Sequence, residues 1–100
     1  MDNCLVITGV VCRPPDLSES PAGIPHLHLV LEHKSMQQEA GYNRAAYVRL
    51  QVVLSGALCR QSQHLTLGHV VRVIGFLNRH QTKSGVAKLV LHAQQIEFLS

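Results

Sequence analysis

The sequence predicts an all-β domain whose five strands close into a small barrel with Greek-key connections. Three observations predict it. Five runs are rich in strand-forming residues, two of them open with alternating side-chain character, and clusters of Pro, Gly and polar residues separate the runs. One hundred residues, 46% apolar and 15% charged, suit a single globular domain, residues 1–100, with one modest core.

The first strand, LVITGVVC (Leu5 to Cys12), stops at Arg13-Pro14-Pro15 because proline cannot donate to a ladder. Residues 14–25 hold all four prolines and read as a loop. HLHLVLEHK (His26 to Lys34) begins with strict alternation, His26 and His28 on one face and Leu27 and Leu29 on the other. The polar SMQQEAGYN reads as a mobile connection. AAYVRLQVVLSG (Ala45 to Gly56) alternates Tyr47, Arg49 and Gln51 against Val48, Leu50 and Val52.

Residues 57–68 form an irregular link with at most one helical turn. HVVRVIGFLNRH then carries Gly75 inside a strand, where a bulge or sharp bend lets the chain curl around a barrel. QTKSG is a hairpin loop with Gly85 at positive φ, and VAKLVLHAQQIEFL closes the chain as a long strand. A meander of three, a larger break and a hairpin is the plan of the oligonucleotide/oligosaccharide-binding (OB) fold. Cold-shock-like and SH3-like barrels share much of that pattern.

A mean hydropathy of +0.11 is high for so small a chain, so part of its surface is expected to be covered in a homodimer. No apolar run approaches the roughly 20 residues of a membrane span, and an acid stands where a signal peptide has its basic region. A cytoplasmic protein is expected. Cys4, Cys12 and Cys59 cannot all pair, and reduced, buried thiols are expected. The net charge is +3, but its distribution matters more. Nothing from Ala40 to Ile96 is acidic, while that stretch holds seven of the nine basic residues. Such segregation attracts polyanions.

Seven histidines raise the question of a metal, with His26 and His28 on one strand face and His33, His80 or His92 as a third donor. No Cys-x-x-Cys and no carboxylate pair accompanies them, so neither a metal nor any other cofactor is expected. Cys59 and His64 lack an orienting acid, paired catalytic carboxylates are absent, and the glycines match no phosphate loop. A non-enzyme is expected. The chain has four aromatic residues, and two of them form the pairs Tyr42/Arg44 and Tyr47/Arg49. A flat ring stacks on any base, and arginine forks onto phosphate, so the pairing points to single-stranded nucleic acid. Tyr47 and Arg49 share a strand face. Tyr42 and Arg44 are placed in the preceding loop, free to turn toward the same groove. Lys83 and Lys88 fit the same plan, and Tyr47, Arg49, Lys34 and Lys83 are expected to border the OB cleft.

The segments LVITGVVCRPP, SPAGIPHLHLVLEHKS, QEAGYNR, VVLSG, GHVVRVIGF and SGVAKLVLHAQQIE, in order and over nearly the whole chain, resemble the primosomal replication protein N (PriB) family. The resemblance implies an OB-fold homodimer without catalytic activity that binds single-stranded DNA. It further implies work with the PriA helicase, DnaT and single-stranded-DNA-binding protein in restarting stalled forks. Carried over by position, the implied DNA contacts are Tyr42, Tyr47, Lys34, Arg44, Lys83 and Lys88. Tyr47 stands where relatives have tryptophan, Gln81 where a lysine can occur, and Asp16 and Glu19 lie in a loop that is more basic elsewhere. Each departure implies a weaker hold on DNA.

Overall fold

A computed structural model describes residues 1–100. It contains β1 (Leu5–Val11), β2 (Asp16–Glu19), β3 (Pro25–Glu39), β4 (Tyr42–Ser55), α1 (Ala57–Gln61), β5 (Val70–Gln81) and β6 (Ala87–Phe98). β1 pairs with β5, β5 with β6, and β3 with β4, all antiparallel. A parallel ladder joins Gln51, Val52 and Val53 of β4 to Val90, Leu91 and His92 of β6. The ring closes where Val10 and Val11 of β1 meet Glu32 and Leu31 of β3. These five strands are the expected OB barrel.

Alternation decides what fills it. Leu27, Leu29 and Leu31 of β3 face Leu50, Val52 and Leu54 of β4 inside the barrel, with Val11, Val71, Val73 and Leu91. Full burial of each such side chain is worth about 1.5–3 kcal/mol. His26 and His28 therefore point outward. The short α1 spans the break between β4 and β5 and inserts Cys59 into the core.

β5 bends where predicted. Its register with β6 shifts between Ile74 and Gly75, and a Cβ at Gly75 would collide with the His92 carbonyl oxygen. Only glycine allows this approach of the two backbones.

Three expectations are corrected. Residues 16–19, read as loop, form the fully exposed edge strand β2 on β3, with Asp16 opposite His28 and Ser18 opposite His26. Flanking prolines and the lack of a buried face hid it. Cys59 is buried and Cys12 half-buried, and all three thiols are free, but Cys4 is exposed because it precedes β1.

The third correction shapes the site. The supposed mobile connection is instead the outer half of a continuous hairpin, paired from His26–Ser55 to Glu39–Tyr42. β1 reaches only as far as Glu32, and β6 only as far as Gln51. Past His33, whose Nδ1 lies 2.7 Å from the Thr8 carbonyl oxygen of β1, residues 34–47 stand clear of the barrel as a two-stranded ribbon. Ala40 (φ 53°) and Gly41 (φ 80°) turn it with two successive positive φ angles, the hairpin geometry that matches strand twist. The ribbon lengthens the molecule to 50 Å and raises the radius of gyration to 14.5 Å. A compact chain of this size has about 13 Å. No helix is long and apolar enough to cross a membrane.

Candidate nucleic-acid interface

Antiparallel register sets Lys34 opposite Tyr47 and Glu32 opposite Arg49. Their neighbours Leu31 and Leu50 face the core, so all four side chains leave the outer face of the hairpin. The Lys34 ammonium lies 5.5 Å from the centre of the Tyr47 ring, within cation–π range. Tyr47 is 56% exposed and Tyr42 73%, so both rings are open to a stacking partner.

One carboxylate organises this patch. The Tyr47 hydroxyl donates to Glu32 Oε2 at 2.9 Å, and Arg49 Nη2 donates to the same oxygen at 3.4 Å. Lys34 Nζ stands 3.5 Å from Glu32 Oε1. The Tyr47 hydrogen bond holds the Glu32 carboxyl below the usual carboxylate range; partial desolvation opposes it, while Lys34 and Arg49 reinforce it. Tyr47, with smaller contributions from Cys12 and Glu32, holds Arg49 still more firmly in its charged form.

Tyr42 and Arg44 do not join Tyr47. They were placed in a loop that could swing them into one groove, but β4 runs unbroken and even-numbered residues leave its opposite face. There Arg44 Nε meets Glu39 Oε1 at 3.2 Å. The stretch free of acids in sequence is thus not free of acids in space. Glu32 and Glu39 arrive from β3, and Glu97 pairs with Arg72 at 2.7 Å.

The outer row of β4 leads from Tyr47 and Arg49 through Gln51 to Val53. This row enters a cleft of about 470 Å³ between β3, β4 and the β5–β6 hairpin, lined among others by Arg13, Gln51, His80 and Lys88. Lys88 therefore lies in the cleft, whereas Lys83 sits exposed in the hairpin turn. Neither forms an ion pair. Sequence reasoning missed Arg13, Gln51 and His80 as cleft residues and Glu32 as the hub. The hairpin register would have found Glu32, because a turn at Ala40–Gly41 puts it opposite Arg49. No group of three or more His, Cys, Asp or Glu side chains is placed to hold a metal ion.

An OB barrel with an exposed ring and cations on its outer face has the make-up of the single-strand binding class. Residues 3–95 match the model of a family described as another single-strand binding protein family. The chain is also 50% identical over 98 residues to the replication restart protein PriB of Photorhabdus laumondii, covering 97% of this chain and 93% of that one. It belongs to the PriB family of replication restart proteins. Among solved structures, priB from Ralstonia solanacearum superposes with a TM-score of 0.84 at 21% identity over the whole of both chains. A deletion mutant of the single-stranded DNA binding protein from Thermus aquaticus gives 0.83 at 25% identity, over 99% of this chain and 51% of that one.

Proposed function

We propose that this chain is a non-catalytic single-stranded-DNA-binding accessory of replication restart that acts as a cytoplasmic homodimer alongside the PriA helicase and DnaT. The observation that carries the reading is the continuous outer row from Lys34, Tyr47 and Arg49 into the cleft that holds Lys88. Bases stack on Tyr47 while Lys34, Arg49 and Lys88 take phosphates, and Lys83 reaches them from the hairpin turn. Tyr42 and Arg44 contact the strand only where it wraps over the ribbon edge. Exposed ion pairs are worth at most about 1 kcal/mol, so a phosphate can displace Glu32 from its partners. Exposed Val6 and Val10 on β1 support coverage by a second copy, which sedimentation of the purified chain tests.

A second reading is a primosome adaptor with weak DNA affinity. It is favoured by the pairing of Lys34, Arg44 and Arg49 with acids in the free protein. Titration of an oligo-dT 30-mer at several salt concentrations separates the two. Neutralising about four phosphates gives a log–log slope near −3. No binding at low salt would leave the adaptor.

A further inference from the structure

Four of the seven histidines meet in one place. His26, His28, His80 and His92 line a cavity of about 310 Å³ whose only acid is Glu19. It adjoins the larger cleft, with which it shares His28, Val53 and His80. The ribbon site uses none of these rings, and none fills the core.

Their positions follow from the fold. β3 turns His26 and His28 outward because Leu27 and Leu29 fill the barrel, and β6 turns His92 outward because Leu91 does the same. His26 Nδ1 lies 2.7 Å from Ser55 Oγ, and His28 Nε2 lies 3.0 Å from Ser18 Oγ. His80 Nε2 and His92 Nε2 are 2.8 Å apart, and His92 stacks on Phe76 at 5.0 Å and 4°. One proton serves the bond between two imidazole nitrogens, one donating and one accepting. The pair can therefore take up a further proton on an outer nitrogen and keep its contact. Two imidazolium rings would instead point N–H groups at each other unless an anion lay between them. Burial first, then the charges of His80 and His26, lowers the His92 pKa.

The fixed charges around the cavity nearly cancel. Arg13 and Lys88 border it through the shared cleft, while β2 contributes Asp16 and Glu19. β4 presents only Gln51, Val53 and Ser55, and Arg79 alternates to the other face of β5. The imidazoles therefore set the sign of the local field.

We propose that this cavity is a second, proton-gated phosphate subsite, which accepts a phosphate oxyanion between the His80–His92 pair and His26 and His28 once the imidazoles take up protons. A phosphodiester of the bound strand is its natural source under the functional reading above, and free phosphate carries the same chemistry. The cavity gains positive charge, and with it a hold on an anion, only as the solution is made acidic.

The test is imidazole NMR of the full chain at about pH 8.0 and about pH 5.5, with oligo-dT and, separately, with inorganic phosphate. Shifts of these four rings by either probe at the lower pH only support the subsite, and the active probe identifies the source. No shift with either probe at the lower pH overturns it, whatever binds at the ribbon. The doubly substituted His28→Gln/His80→Gln variant changes two exposed residues, and its fold is checked by thermal melting. Affinity of the active probe, read at His26 and His92, is expected to drop about threefold or more with the loss of two donors. An unchanged affinity overturns the assignment. Oligo-dT binding at about pH 8.0, followed at Tyr47, reports on the ribbon separately, so the two readings fail independently.

Discussion

The ribbon and the β5–β6 hairpin both offer cations to a passing strand, but they hold them in opposite states. On the ribbon, Lys34 and Arg49 are already occupied by Glu32, and Arg44 by Glu39. On the hairpin, Arg79, Lys83 and Lys88 have no acidic partner. The ribbon is organised and must exchange one anion for another. The hairpin is unpaired and can attract phosphate at long range. Under the proposed function, charge that looks uniform along the sequence would separate into a contact site and a steering site.

The sharpest way to break the contrast is to move the hairpin. Gly75→Ala places a methyl against the β6 backbone at His92, and a loss on the order of 3 kcal/mol is expected in urea unfolding. An unaltered midpoint would mean that the hairpin does not depend on that close approach. Next comes the contact role of the ribbon. Tyr47→Ala is expected to cost about 1–3 kcal/mol in oligo-dT affinity with little change in salt slope, and Tyr42→Ala less, because it lies on the other face. Equal losses would show that the strand wraps both faces.

Lys83→Ala is expected to make the salt slope shallower by about 0.7, the share of one phosphate on a single strand. A change confined to affinity at every salt concentration would reverse the two roles. Glu32→Gln is expected to tighten binding by about threefold, since it removes an anion that competes with phosphate for Lys34 and Arg49. Weaker binding would mean that Glu32 positions Tyr47 rather than competing for its neighbours. The smallest effect is on stability. Because the Glu32 pKa is lowered in the folded chain, its contribution is fully present above the ordinary carboxylate range and is lost as pH falls through the lowered value. Melting temperatures below about pH 4 should therefore drop less in Glu32→Gln than in the parent.

The barrel was legible because each of its strands has one wet and one dry side. Leu27, Leu29 and Leu31 against His26 and His28 leave only one register open. Gly75 announced its bend for the same reason, since an interior strand rarely carries a glycine without a close neighbour. The ribbon was illegible because both its faces are wet. Ser35 to Glu39 show no period when neither side is buried, and the turn at Ala40–Gly41 lacks the usual asparagine or aspartate. The site inherited that blindness. Tyr47 and Arg49 were placed correctly on one face, but Glu32 joined them through pairing across a turn that was read as loose chain. Lys88 was grouped with the cleft cations and lines the cleft, whereas Lys83, expected at its border, sits in the exposed hairpin turn.

The parallel ladder between β4 and β6 joins partners separated by 39 residues, from Gln51 to Val90, through three rungs. The two hairpins on either side are local and can assemble within microseconds on their own. This seam must wait until both exist, so it is expected to form late in folding.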